Sequence, residues 1–166
     1  MRLARATIES YIRTGKEVVI PSDIPEEMNE RRAGVFVSIH EFGRLRGCIG
    51  TIQPCTDSIA CEIIQNAISA STRDPRFDRI RPEELDNLEI SVDVLGEAEE
   101  IASEDQLDPK RYGVIVTKGS RRGLLRPDLD GVDTVSEQVS IAMQKAGIPE
   151  GTGGVRLERF EVVRHY

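Results

Sequence analysis

The chain of 166 residues is long enough to bury the core of one domain, and its 39% hydrophobic and 31% charged residues are typical of soluble globular proteins. Its net charge of −7 argues against indiscriminate binding to nucleic acid, which relies on the neutralisation of phosphates. No run approaches the ~18 apolar residues of a membrane span, and three cysteines are an odd number that suits a reducing compartment. We therefore expect a cytoplasmic protein without a membrane segment.

The apolar periodicity predicts helices and strands that alternate along the chain. A first helix is predicted from Leu3 to Arg13, with Gly15 as its stop signal. The later elements are, in order, a strand from Val35 to His40, a strand that starts at Arg44, a helix from Ser58 to Thr72, a strand from Glu89 to Leu95, a hairpin of Gly113 to Thr117 with Gly123 to Arg126, a helix opened by the capping box Thr134-Val135-Ser136-Glu137, and a last strand from Val155 to Val163. This order predicts an α+β fold with a mixed, mainly antiparallel sheet flanked by helices.

The turn between the first two strands decides which side chains face each other. A two-residue loop would require a positive φ at Phe42, which is costly for a bulky residue. A three-residue loop with Gly43 in the left-handed region avoids this cost and pairs Phe36 with Cys48. We favour the three-residue loop, which places His40 roughly 13 Å from Cys48 along the strand, too far for a direct hydrogen bond.

The window Arg-Leu-Arg-Gly-Cys-Ile-Gly-Thr, from position 44 to 51, holds more potential chemistry than any other. In an extended strand Arg44, Arg46 and Cys48 share one face. The arginine two residues away makes Cys48 a candidate for a thiol with a lowered pKa, whereas the alternative is a small buried apolar side chain. Gly47 and Gly50 indicate that backbone or a ligand approaches closely beside Cys48.

Several features elsewhere in the sequence bear on this window. The helix that starts at Ser58 has its positive dipole end a few residues after Cys48, where it would stabilise an anion or a thiolate. Asp74 and Arg76 follow that helix, either as a turn that ends it or as polar groups beside the Cys48 strand. Asp93, on the polar side of its strand, is expected to be solvated. The cysteine spacings fit no zinc motif, so we predict no metal site.

A set of motifs that spans nearly the whole chain in the right order resembles one known family. The motifs are Gly34-Val35-Phe36-Val37-Ser38, Gly43-Arg44-Leu45-Arg46-Gly47-Cys48-Ile49-Gly50-Thr51, Asn66-Ala67, Asp74-Pro75-Arg76-Phe77 and Glu89-Ile90-Ser91-Val92. They resemble the AMMECR-type domain family, whose hallmark is Leu-Arg-Gly-Cys-Ile-Gly. Later segments are similar to its prokaryotic branch, called AmmeMemoRadiSam system protein A: Gly123-Leu124-Leu125-Arg126-Pro127, Asp133-Thr134-Val135 and Gln144-Lys145-Ala146-Gly147-Ile148.

The resemblance implies the organisation and the partners of the protein. It implies a single AMMECR-type domain over residues 1–166, with a larger subdomain of roughly residues 25–100 plus the C-terminal strand. The remaining segments would form a smaller subdomain, and the hallmark hairpin would line a cleft between the two. The resemblance also implies an association with a Memo-type protein, related to non-haem-iron dioxygenases, and with a radical SAM enzyme. It leaves the reaction and the cofactor open.

The sequence leaves two functions open. The first is a small modification enzyme or substrate-activating subunit, with Cys48 as nucleophile or substrate thiol, Arg46 as its cationic partner, and Asp74 and Arg76 as supporting groups. The second is a non-catalytic module that binds a peptide, a nucleotide or the Memo-type partner. The arginines favour an anionic small molecule or nucleotide as ligand. The expected binding residues are Arg44, Gly47, Gly50, Thr51, Asp74 and Arg76.

Overall fold

The computed structural model describes residues 1–166, and the chain divides into two compact units. Unit 1 consists of Met1–Leu95 with Val163–Tyr166, and unit 2 consists of Gly96–Val162. The helices are α1 (Arg2–Thr14), α2 (Glu26–Glu30), α3 (Ile59–Thr72) and α4 (Val135–Ala146), and the strands are β1 (Val35–Glu41), β2 (Arg44–Gly50), β3 (Leu88–Leu95), β4 (Glu99–Ile101), β5 (Gly113–Lys118), β6 (Arg121–Leu125), β7 (Arg156–Phe160) and β8 (Val162–His165). Short 3-10 helices cover Pro82–Asn87 and Glu104–Gln106.

Unit 1 is built on a four-stranded sheet in the order β2-β1-β3-β8. β1 pairs antiparallel with both β2 and β3, so it lies inside the sheet. Its side chains alternate, and Val35, Val37 and Ile39 are fully buried in the core of this unit. α3 packs on β1 and β2, while α1 packs on α3 and β3. One face of the sheet is therefore apolar and covered by helices.

The two long helices of unit 1 begin and end at residues with a clear local cause. α1 buries one stripe, made of Leu3, Ala4, Thr7, Ile8 and Ile12. It ends at Gly15, whose φ of 71° is the left-handed conformation of a C-cap and whose N–H donates to the Tyr11 carbonyl. α3 begins after Ser58, whose hydroxyl accepts a hydrogen bond from the Cys61 N–H.

Unit 2 is a second four-stranded sheet, in the order β4-β7-β5-β6, with α4 packed on β5 and β6. The capping box of Thr134 and Glu137 opens α4 as predicted. Gly123 permits the close packing of α4 on β6, because a Cβ atom there would lie 2.2 Å from the Ala142 carbonyl oxygen. At the two ends of this unit, the Gly96 N–H donates to the Glu161 carbonyl at 2.8 Å.

The predicted α+β class is confirmed, and the strands form two separate sheets rather than one mixed sheet. The strands that follow β3 pair among themselves until the chain returns to the first sheet at β8. Periodicity finds strands but does not assign them to sheets, since that assignment depends on pairing between distant segments. None of the helices is long and apolar enough to cross a bilayer.

The predicted register of the β1–β2 hairpin is wrong. Phe42 and Gly43 both have positive φ, at 50° and 74°, so the loop has two residues and Glu41 pairs with Arg44. A turn of this kind matches the right-handed twist of the two strands, and this outweighs the local cost at the phenylalanine. The register then shifts by one residue, because Arg46 is an extra residue with no partner across the pair.

The strained turn predicts that replacing Phe42 by Asn stabilises the protein. The Phe42 side chain is 76% exposed, so little packing is lost, and Asn tolerates a positive φ better than Phe does. We expect Phe42→Asn to raise the free energy of unfolding by about 0.5–1 kcal/mol and the melting temperature by about 1–3 °C.

The matched control is Phe42→Ala, which removes the same exposed ring but keeps the cost of a positive φ at a residue with a Cβ atom. Equal melting temperatures for the Asn and Ala variants, measured by circular dichroism, would show that turn strain is not the cause.

Candidate functional site

Cys48 lies on β2, the edge strand of the unit 1 sheet, directly opposite Ser38 of β1. Its backbone N–H donates to Asp74 Oδ2 at 2.9 Å, and its carbonyl accepts from Arg76 Nη2 at 3.1 Å. Because both backbone groups point away from β1, Ser38 and Cys48 form a non-hydrogen-bonded pair, in which opposite side chains lie close together. Ser38 Oγ and Cys48 Sγ are accordingly 3.3 Å apart.

The Asp74 carboxylate binds both the Cys48 backbone, on the side away from β1, and Arg76. It accepts hydrogen bonds from Arg76 N and Nε through Oδ1, at 3.1 and 3.0 Å, and from Arg76 Nη2 through Oδ2 at 2.7 Å. The hydrogen bonds from the Arg76 side chain, followed by those from the Cys48 and Arg76 backbone, lower the pKa of Asp74 to about 2. The segment after α3 therefore both ends that helix and supplies polar groups beside the Cys48 strand.

The Arg76 guanidinium is exposed to solvent, whereas the Asp74 carboxylate that it binds is buried. The Arg76 side chain is 55% exposed and that of Asp74 is 2% exposed. The Arg76 guanidinium also lies over the Phe77 ring, 5.4 Å from its centroid, which fixes its orientation. Its Nε and Nη2 atoms are used in hydrogen bonds within the protein, so Nη1 is the atom that remains to bind an anion near Cys48.

Arg46, which was predicted to be the cationic partner of Cys48, is bound to other groups. Its guanidinium binds the Glu84 carboxylate through Nε and Nη2, at 2.8 and 3.2 Å, and donates to the Asp78 carbonyl at 2.8 Å. Because Arg46 is the extra residue of the bulge, Arg44 and Cys48 do not share a face. The prediction of one face for these side chains is therefore wrong. Arg46 anchors the segment around residues 78–84 to the edge strand.

The glycines beside Cys48 leave room for the protein itself. A Cβ atom on Gly47 would lie 2.2 Å from the Ala70 carbonyl oxygen of α3. A Cβ atom on Gly50 would lie 2.3 Å from the Phe36 ring. The close approach that these glycines predicted is thus an approach of backbone on one side and of an aromatic ring on the other.

Thr51 belongs to a buried hydrogen-bond network centred on Glu62 of α3. Thr51 Oγ1 donates to Glu62 Oε1 at 2.5 Å, and Asn66 Nδ2 donates to Thr51 Oγ1 and to the Val35 carbonyl. Glu62 Oε2 accepts from the N–H groups of Cys55 and Thr56 and from the Thr56 hydroxyl. Burial raises the pKa of Glu62, but these hydrogen bonds outweigh it and hold the pKa below its usual value.

This network bears on the anion site predicted at the start of the second helix. The backbone N–H groups of Cys55 and Thr56 are already bound to Glu62. At the N-terminus of α3 itself, the Ile59 N–H donates to the Arg31 carbonyl and the Cys61 N–H donates to Ser58 Oγ, so these groups are also used within the protein. Glu62 was not predicted as a functional residue from the sequence. Its position within the apolar stripe of α3 was a signal, since a carboxylate that is buried there requires hydrogen-bond donors.

The sheet face that carries Cys48 is polar, in contrast to the face covered by α1 and α3. Ser38 pairs with Cys48 on one side and with Ser91 of β3 on the other, and His40 pairs with Glu89 in the next row. Directly opposite residues share a face, as do residues two apart. We call the polar members of this face the polar sheet face; they are Cys48, Ser38, Ser91, His40, Glu89 and Asp93, and the apolar side chains of Phe36 and Leu45 lie on the same side of the sheet.

The observed register changes the position of His40. His40 lies two residues from Ser38, so it is about 7 Å along the strand from the row that contains Cys48, about half the predicted distance. The spacing still exceeds a direct hydrogen bond.

Asp93 was expected to be solvated, and this prediction is wrong. It is 1% exposed and receives two hydrogen bonds from Arg164 of β8, from Nε to Oδ1 at 2.7 Å and from Nη2 to Oδ2 at 3.0 Å. The pairing with Asp93 raises the pKa of Arg164. The alternation of β3 correctly placed Asp93 away from the apolar face. Nothing in the sequence indicated that Arg164, near the end of the chain, would bind it.

Among the side chains that the structure describes, no three His, Cys, Asp or Glu residues are grouped so as to hold a metal ion. The groups near Cys48 are hydroxyl, carboxylate and guanidinium groups, which suit hydrogen bonding and anion binding.

The lowered pKa of Asp74 predicts a specific acid sensitivity. A carboxyl whose folded pKa is about 2, against an ordinary 3.8, contributes about 2 kcal/mol to the free energy of unfolding near pH 7. This contribution is complete above about pH 5 and is lost as the pH falls towards 2. We expect Asp74→Asn to lower the free energy of unfolding by about 2 kcal/mol at pH 7 and by much less at pH 2.5, measured by urea denaturation.

Asp23→Asn is the matched control, because Asp23 forms an exposed ion pair with Arg2 and is 67% exposed. We expect Asp23→Asn to have the free energy of unfolding of the wild type at every pH. If Asp74→Asn lowered the free energy of unfolding by the same amount at pH 7 and at pH 2.5, the lowered pKa of Asp74 would be contradicted.

Comparison with known proteins places this chain in a family. A family model described as AMMECR1 matches residues 1–165. The chain is 51% identical to a protein of Thermotoga maritima over 166 residues, covering 99% of this chain and 95% of the relative. It is also 51% identical to a Clostridium acetobutylicum protein, of which it covers only 35% of the length.

A solved structure gives the same result. The crystal structure of an uncharacterized protein from Pyrococcus horikoshii superimposes with a TM-score of 0.87 and 34% sequence identity. The match covers 98% of this chain and 87% of that chain. The similarity of sequence and of fold extends over nearly all residues, and the chain therefore belongs to the AMMECR1 family.

Proposed function

We propose that this protein acts in a modification pathway as a small enzyme or substrate-activating subunit, with Cys48 as its reactive group. The observation that carries the proposal is the placement of Cys48. Its backbone is bound on the outer side by Asp74 and Arg76, while its thiol lies 3.3 Å from Ser38 Oγ on the polar sheet face. A thiol fixed in this way has little freedom to turn from a bound substrate.

The chemistry suited to this thiol is transfer of an acyl or other electrophilic group. A bond forms between Cys48 Sγ and the electrophilic carbon, and the bond from that carbon to its leaving group breaks. The thiol proton passes to the leaving group, and the Ser38 hydroxyl, 3.3 Å from the thiol, is able to accept and donate a hydrogen bond on the way. His40, in the next row of the polar sheet face, would act as a base through a bridging water or hydroxyl.

The cation that assists this thiol is Arg76 rather than Arg46. Arg46 is 16% exposed and bound to Glu84, whereas Arg76 is more than half exposed and lies against the Cys48 carbonyl. An anionic group of the substrate would bind to Arg76. Arg44 is exposed on the same hairpin but lies on the other face of the sheet, where it would contact a partner protein. Asp74 is a positioning residue, and Gly47, Gly50 and Thr51 hold β2 against α3 and β1.

The partner proteins belong to the same proposal. We propose a Memo-type protein and a radical SAM enzyme as partners. The Clostridium relative carries the homologous region within a chain nearly three times as long, which supports a domain that works beside another one.

A second candidate function is a non-catalytic binding module. One observation favours it: the spaces beside Gly47 and Gly50 are filled by the Ala70 carbonyl and the Phe36 ring. In this case the polar sheet face would bind a peptide, a nucleotide or the Memo-type partner, and Cys48 would be a contact rather than a nucleophile.

The enzymatic proposal predicts that Cys48 is reactive and that Ser38 controls its reactivity. We expect iodoacetamide to alkylate Cys48 in the native protein between pH 6 and 9, measured by mass spectrometry of peptides. We expect Ser38→Ala to slow this reaction by about fivefold, because the thiolate loses one hydrogen bond. Cys55 and Cys61 are internal controls whose rates should not change.

Two outcomes would contradict this proposal. One is a native protein in which Cys48 is not alkylated while exposed Cys55 is. The other is a Cys48 rate that Ser38→Ala leaves unchanged across the pH range.

The two functions differ in what Cys48→Ser should do. In an assay that contains the Memo-type and radical SAM proteins from the same organism, the enzymatic proposal predicts that Cys48→Ser abolishes product and retains partner binding. Arg44→Glu should weaken binding, because it reverses an exposed charge on the hairpin. Full activity of Cys48→Ser together with loss of activity in Arg44→Glu would favour the binding module.

A further inference from the structure

We propose that unit 1 contains a second site, a groove beside α3 that binds the end of a short apolar peptide with a free C-terminal carboxylate. The groove has a volume of about 500 Å³, within the range of sites for small ligands. Its wall is formed by Val18, Ile20, Ile64 and Ile68. None of these residues belongs to the polar sheet face, so this site is independent of the function proposed for Cys48.

One side of the groove is formed by residues 17–20, which belong to no helix or strand. None of their backbone N–H or C=O groups forms a hydrogen bond within the protein. Val18 and Ile20 point into the groove, while Val19 points outward and is 89% exposed. An unpaired extended backbone is a template for strand addition, in which a peptide supplies the missing hydrogen bonds.

Two residues that line the groove carry opposite charges, and no ion pair of the protein neutralises them. Glu17 and Arg73 both line the groove, and neither forms an ion pair. Arg73 follows the last turn of α3, where its backbone N–H donates to the Ser69 carbonyl and leaves the guanidinium exposed. An unpaired Arg beside an apolar wall suits a carboxylate, and the acidic Glu17 suits an amino group.

Together these features favour a peptide over a fatty acid. A fatty acid would pack against the apolar wall and bind Arg73 through its carboxylate. It would leave the backbone groups of residues 17–20 and the Glu17 carboxylate without hydrogen-bond partners. An extended segment of this length spans roughly 10–13 Å, which matches a peptide of three or four residues. Pro21 has no N–H group, so pairing ends there.

The test is calorimetric titration of the full chain with the tetrapeptide Leu-Val-Leu-Val. We expect the peptide with a free carboxylate to bind and its C-terminal amide to bind about tenfold more weakly, because a charge-assisted hydrogen bond to Arg73 is lost. We expect Arg73→Gln to weaken binding of the peptide with a free carboxylate by the same factor. The variant should have little effect on binding of the amide. Arg2→Gln, which alters an exposed arginine elsewhere in unit 1, is the matched control and should bind as wild type does.

A second readout uses the cysteine in the groove. Cys61 lines the groove and is partly accessible, whereas Cys55 is exposed and does not line it. We expect saturating peptide to slow alkylation of Cys61 and to leave Cys55 unchanged. This measurement needs no variant, so it does not depend on how well Arg73→Gln folds.

Several outcomes would overturn the proposal. Absence of heat and of Cys61 protection with the free peptide at millimolar concentration would exclude a peptide site. Equal affinity for the peptide and its amide would exclude Arg73 as the carboxylate partner. Binding of decanoate without binding of the peptide would identify a fatty-acid site instead.

Discussion

The hydrogen bond from the Cys48 N–H to the Asp74 carboxylate is the interaction on which the arrangement of this site depends. β2 is an edge strand, and at Cys48 its free N–H and C=O groups are satisfied by Asp74 and Arg76 rather than by another strand. The same contacts fix the strand orientation that brings the thiol to Ser38. The ion pair of Asp74 and Arg76 therefore sets the position of the one cysteine on the polar sheet face.

A second carboxylate plays a comparable part inside the unit. Glu62 lies fully buried on α3 and accepts hydrogen bonds from the loop between β2 and that helix. Asn66, one turn later, binds both Thr51 and the β1 backbone. These two side chains tie the end of β2 to the helix that covers the sheet. A buried carboxylate is stable here because each of its oxygens has donors.

The sequence predicted what depends on local pattern and failed where distant packing decides. Apolar alternation located β1 and β3, and the spacing of Ile59, Ile63 and Ala67 located α3. The turn at Phe42 was missed because the twist of the paired strands outweighs the local cost of its positive φ. Arg46 was misplaced because a bulge carries no periodic signal, and the burial of Asp93 depends on Arg164, 71 residues away.

The hydrogen bond between Gly96 and Glu161 has a consequence for the architecture of the chain. It brings together the two ends of unit 2, which is one continuous segment between β3 and β8. An insertion whose ends meet can be exchanged or lost without separating the strands that flank it, as in proteins that accept whole domains within a loop. In terms of chain topology, unit 1 is the discontinuous host that bears the cysteine, and unit 2 is the continuous insertion between its strands β3 and β8.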